Sequence, residues 1–223
     1  MPIKFSASRA DFRLDVPFER PQFALFQDGS GLISHLFTAL EPHGLRLSDL
    51  KVERGTGGLA EIHVLCNLFE YALTIRVWID RVEVICLYVE SEEKEKKYSA
   101  AIVDALVAIQ RKIEPGFRTY AFSMNLHGPL EGESVKDYLA KFVAKTPNIG
   151  TPTGAAVGYY YGPTDERLFS SLTLDVSVAV TGGIYIRPQA TWDASRVTPQ
   201  DLPVRVRGFV RAALESLDLE TPS

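Results

Sequence analysis

Cysteine is scarce in this chain: two thiols, Cys66 and Cys86, in 223 residues. A disulfide-built secreted fold needs more, and a zinc site needs paired spacings such as C-x-x-C. Two thiols buried in a reducing compartment fit the count, so a cytoplasmic location is expected. Histidine is also sparse. His35, His43, His63 and His127 form neither H-x-x-x-H nor H-E-x-x-H, so no metal is expected. No run of about 18 apolar residues occurs, which leaves no candidate for a membrane-spanning helix. The first residues, MPIKFSASRADFRLDV, meet charges too early to read as a signal peptide.

A surplus of basic charge is missing as well. The formal net charge is -4, and it is spread evenly: residues 1–114 carry 14 basic and 17 acidic side chains, residues 115–223 carry 10 and 11. A general nucleic-acid binder shows the opposite bias, so nucleic acid is not expected as a partner. Gly55-Thr56-Gly57-Gly58 and the segment from Gly150 to Gly154 lack the Lys-Ser/Thr of a phosphate loop and read as turns between strands. With no G-x-S-x-G elbow either, no catalytic residue and no cofactor are assigned.

What the chain does have is a long alternating stretch, Phe69 to Glu90. It reads as two antiparallel strands turning at Asp80-Arg81, with Ile79 opposite Val82. Tyr71, Leu73, Ile75, Val77, Ile79, Val82, Val84, Cys86 and Tyr88 share one face. The other face is only half polar: Trp78, Ile85, Leu87 and Val89 lie beside Arg76 and Glu83.

Around this hairpin, residues 3–18 alternate as one or two strands, and Gln22 to Gln27 reads as a short strand. Ser30 looks like the cap of a helix with Leu32, Ile33, Leu36, Phe37 and Leu40 on one face. Strands are expected near Leu47–Glu53 and Ala60–Asn67. After a charged run, a helix carries Tyr98, Ile102, Leu106, Ile109 and Ile113, stopped by Pro115-Gly116. Phe117–Leu126 is a strand. A helix capped by Ser134 with Asp137 follows, then strands over Ala155–Tyr161 and Leu168–Thr181. The latter places Leu172, Leu174, Val176, Val178 and Val180 on one face. A loop at Thr181-Gly182-Gly183 sets Ile184 opposite Val180. The last helix starts near Asp201, with Leu202, Val206, Phe209, Val210, Ala213, Leu214 and Leu217 inward.

The second half answers the first: strand, glycine turn, helix, strands, long closing helix. The expectation is an α+β chain with an internally duplicated β-α-β(3–4)-α unit, a first lobe over residues 1–115 and a second over 116–223, packed as one unit with helices on one side of antiparallel sheet. This order resembles that of TATA-binding-protein-like and helix-grip folds. The resemblance is topological and brings no motif.

Candidate sites follow from surface chemistry. An apolar centre with charged rim on the second sheet face (Trp78, Arg76, Ile85, Leu87, Val89) suggests an interface. Tyr159, Tyr160 and Tyr161 can stack on bases or sugars, or anchor a partner. Arg207 and Arg211, four apart on the last helix, can meet an acidic group; Arg187, Arg196 and Arg205 add to that basic concentration. Glu131 and Glu133 read as helix-dipole partners. The function expected is therefore a non-catalytic protein-binding or assembly module, binding a protein partner or a second copy of itself. The alternatives are a carrier of a small apolar ligand between sheet and closing helix, lined by Tyr71 and Tyr88, and an enzyme whose residues meet only in the folded chain.

Overall fold

The structure is a computed structural model that describes residues 3–27, 29–54, 58, 61–87, 89, 91–143 and 156–220, with the side chains of 29 and 30 set aside. In chain order it contains β1 (Ile3–Lys4), β2 (Arg9–Pro17), α1 (Ala24–Gln27), α2 (Gly29–Leu40), β3 (Leu50–Arg54), β4 (Ile62–Leu68), β5 (Leu73–Trp78), β6 (Arg81–Cys86), α3 (Glu92–Gln110), β7 (Thr119–Gly128), α4 (Val135–Ala140), β8 (Val157–Tyr161), β9 (Arg167–Val176), β10 (Ile184–Asp193), α5 (Leu202–Glu215) and β11 (Leu219–Glu220). Nine strands form one sheet in the order β3-β4-β5-β6-β2-β7-β10-β9-β8. Every neighbouring pair is antiparallel. β1 and β11 form a separate parallel pair. The chain is thus mixed α+β with a large antiparallel sheet.

Alternation sorts the sheet into two faces. The inner face is apolar, and the helices lie on it. One cluster joins Leu14, Ile75, Val84 and Trp192 of the sheet to Leu36 of α2 and Leu106 and Ile109 of α3. A second joins Leu172, Leu174 and Ile186 to Tyr138 and Leu139 of α4 and Leu214 of α5. These clusters do not divide at residue 115. Phe5 and Ala10 belong to the second, whereas Trp192 and Leu202 belong to the first.

Several expectations are corrected. Gln22–Gln27 is not a strand; β2 takes the sheet position, and residues 24–27 form the short α1. In the central hairpin Val77, not Ile79, faces Val82. The Phe18 N–H donates to the Asp80 carbonyl (2.9 Å) and the Gln22 N–H to that of Ile79 (2.7 Å), which draws the turn out of the ladder. A slip of two leaves every face unchanged. Tyr71, expected inward, is 64% exposed. It closes a turn in which Phe69, Glu70 and Tyr71 have φ of 53°, 58° and 69°.

β9 stops at Val176 because the Ser177 hydroxyl accepts from the N–H groups of Ala179 (3.2 Å) and Val180 (2.9 Å). Ile184 therefore faces Val176, a slip of four places that again keeps the faces. Val178, expected in the core, is wholly exposed, and Val176 is 39% exposed; Leu73, Ile75, Val77 and Leu174 are fully buried as expected. The glycine turns at 55–57 and 150–154, and Tyr88, lie outside the described residues.

Candidate functional site

β2 is the central strand of the nine and β7 its neighbour, and among the described residues no helix lies squarely over them. α3 flanks them on one side and α5 on the other. Between the helices runs an open groove of about 1430 Å³. Its floor is Phe12 and Leu14 of β2 with Phe122, Met124 and Leu126 of β7; Ile102 and Val103 of α3 and Val206 and Val210 of α5 form the walls. Phe12, Met124, Val103, Val206 and Val210 keep part of their surface in solvent, whereas Leu14, Phe122 and Leu126 beside them are buried. Apolar side chains held open beside charged ones are the make-up of a ligand groove.

The lip is charged. Glu92, Glu95, Glu215, Asp218 and Glu220 line it, against Arg207 and Arg211: five carboxylates to two guanidiniums. Arg211 is taken by Glu215 at 2.7 Å, and Lys96, beside the groove, by Glu92 at 2.7 Å. Arg207 reaches across from α5 to Glu95 of α3, but only to 3.7 Å. Burial pushes the Glu95 carboxyl up, Arg207 draws it down, and Glu92 pushes it up further. The groove therefore brings together Arg207 and Arg211 with a half-buried acid.

The other expected site residues lie elsewhere. Trp78, Arg76, Ile85 and Leu87 do share the outer sheet face, but Val89 does not. Its N–H donates to the Ala10 carbonyl, and its side chain turns inward to the core and the groove. Around Trp78 the outer face is covered by its own side chains. His63 stacks on Trp78 with centroids 4.1 Å apart, and Arg81 lies over the same ring at 4.9 Å. Glu83 holds Arg76 and Arg13, each at 2.8 Å, and Arg13 also holds Asp15. These contacts leave the Trp78 ring little surface with which to anchor a partner.

The tyrosines separate: Tyr159 packs inward, while Tyr160 is 79% exposed on the outer face with Phe169 at 6.4 Å. Arg205 pairs with Glu166, and Arg196 donates to the Asp165 carbonyl. Glu133 binds Lys141. His35 sits 2.7 Å from the Gly31 carbonyl and His43 2.7 Å from Asp104. His127 Nδ1 lies 2.9 Å from Ser177 Oγ. That oxygen already accepts two backbone N–H groups, so the pair serves the β9 turn and supplies no free nucleophile.

Sequence reasoning missed Phe12, Met124, Val103 and Glu95. Phe12 and Met124 meet only because β2 pairs with β7 (Phe12↔Met124), a neighbour relation with no local signature. The space expected between sheet and first closing helix, beside Tyr71, is filled: Leu73, Ile75, Leu106 and Ile109 are fully buried there.

No family model matches the sequence, and no curated protein matches it. Among solved structures, the rolling circle replication initiator protein from Geobacillus stearothermophilus is similar over 93% of this chain and 84% of that one, at 8% identity and a TM-score of 0.37. Likeness this loose carries no activity across. The expectations of a protein-binding or assembly module, of a protein or self partner, and of no role for nucleic acid are nonetheless corrected. The sheet face meant to carry assembly is paired within itself: His63 and Arg81 cover Trp78, and Glu83 holds Arg76 and Arg13. Net charge alone is also a poor guide, since it says nothing of any single face.

Proposed function

We propose that this chain is a binding protein built from two related lobes, residues 1–115 and 116–223, whose site is the groove at their seam. The duplication is supported by the strand order. Outward from the seam one side reads β2-β6-β5-β4 and the other β7-β10-β9-β8. Each lobe then runs strand, helix, strands and closing helix, with β3 as the extra strand of the first. In this reading α3 and α5 are equivalent helices that cover their own lobes and leave the junction uncovered. Cytoplasmic residence fits the two free, buried thiols.

The observation that carries the reading is the open groove of about 1430 Å³ with an apolar floor and a charged lip. It is larger than the roughly 300–1,000 Å³ of a compact small-molecule site, and it is elongated between two helices. An extended amphipathic molecule suits it, the apolar length on Phe12, Phe122 and Met124 and the polar end at the lip. This differs from a small apolar ligand enclosed under one helix: beneath α3 the described side chains of Leu73, Ile75, Leu106 and Ile109 are themselves fully buried.

The test is a titration with Nile red, a neutral dye that brightens in apolar surroundings. Saturable binding is expected for the native chain. Val103→Trp, which fills the groove from α3, should weaken it at least tenfold with an unchanged melting temperature. No saturable binding by the native chain, or full binding by a folded Val103→Trp, overturns the reading.

A further inference from the structure

We infer that the ligand of this groove bears a cationic head on an apolar chain, an alkylammonium or alkylguanidinium, and that Glu95 receives that head. The inference rests on the groove being the binding site and adds the sign of the ligand. The lip carries three more negative than positive groups among its lining residues. An anionic head would enter against that field, and a neutral one would gain nothing from it.

Glu95 is singled out by its partners. Glu92 and Glu215 each have a cation at 2.7 Å. Glu95 is partly buried and has Arg207 at 3.7 Å, outside the 2.7–2.9 Å of a charge-assisted hydrogen bond. A carboxylate withdrawn from water without a close donor is costly, and a ligand N–H supplies the missing contact. Position on the helix sets the direction of the chain. Ser99, Ile102 and Val103 follow Glu95 by four, seven and eight residues, so they continue its face of α3. All three line the groove. A head at Glu95 therefore sends its chain along α3, over Phe122 and Met124.

The experiment compares decylammonium, decyl sulfate and decyl maltoside by calorimetry at pH 7, each below its micelle concentration. Decylammonium is expected to bind at least tenfold tighter than the other two. Glu95→Gln should erase that preference and leave maltoside binding as it was. Arg207→Gln, which removes the competing guanidinium, should tighten decylammonium. If none of the three amphiphiles binds saturably, the groove reading falls and this inference with it. If all bind alike, or the sulfate binds best, the groove stands and the cationic head is wrong. If Glu95→Gln keeps the preference, or Arg207→Gln weakens it, Glu95 is not the receptor. Melting curves of both variants accompany the titrations, and either one alone decides the point should the other fail to fold.

Discussion

Burial separates residues that share one alternation pattern. Leu174 and Val178 stand on the same expected strand face, yet Leu174 is fully buried and Val178 is fully exposed. Leu174→Ala should cost about 2–5 kcal/mol in a denaturant titration, the range for truncating a packed aliphatic side chain. Val178→Ala should stay within about 0.5 kcal/mol. Equal losses at the two sites would put β9 in another register. Polar residues give a second contrast. Glu83 is 7% exposed although it lies on the outer face, because two arginines cover it. Its worth is best read from a double-mutant cycle with Arg76, since Arg76 keeps 35% of its side chain in solvent and surface pairs contribute little. A coupling that shrinks in high salt is expected.

Elements were legible where a local rule acts alone. The stripe Tyr98, Ile102, Leu106 and Ile109 announces α3, and these residues are buried in it. The Ser134 hydroxyl accepts from the Asp137 N–H at 3.1 Å, as its spacing implies. What failed were the places where a distant or non-ladder bond competes with alternation: the Asp80 carbonyl taken by Phe18, and β9 ended by the Ser177 hydroxyl. The turn at Phe69–Tyr71 had no signature, since three left-handed residues without a glycine run against backbone preference. Phe69 accepts it in exchange for stacking on Tyr98 at 4.9 Å. Glu70 is exposed and makes no such ring contact. Glu70→Gly should therefore raise stability by up to about 1 kcal/mol, the left-handed cost relieved less the added chain entropy. A loss on denaturation would show that Glu70 is unstrained. At Gly128 the reverse holds: a Cβ there would overlap the Ser6 carbonyl. Gly128→Ala should cost about 1–3 kcal/mol by displacing the segment that carries Phe5.

At the scale of the molecule, the inward faces and the class of fold could be read from the chain. The groove could not, because it exists only where β2 meets β7 and the two helices stand apart. Buried thiols and a shielded histidine bound the pH range of the whole. Burial pushes Cys66 and Cys86 up to about 12, from 9.0. The unfolded chain therefore loses those protons first, and stability is full below pH 9.0 and falls as pH rises toward 12. Burial of Tyr120 and Tyr138 adds a fall of the same sign from pH 10. His127 is lowered from 6.5 by burial and by Arg9, with Asp11 opposing, so its contribution is lost as pH drops below 6.5. Denaturation midpoints measured across pH should show a plateau between about 6.5 and 9. A maximum above pH 10 would contradict the burial of the thiols.

The seam between β2 and β7 has one more consequence. It is held by an antiparallel backbone ladder and by apolar contacts across it, such as Phe12 on Phe122 with ring centroids 6.0 Å apart. A chain cut near residue 115 leaves each fragment with one newly bared edge, and that edge accepts a strand of suitable length. Two intact chains opened at the same place could exchange second halves and rebuild the same sheet in a swapped dimer, at no loss of contacts. Nicked or heat-cycled protein should therefore elute from a sizing column as paired species.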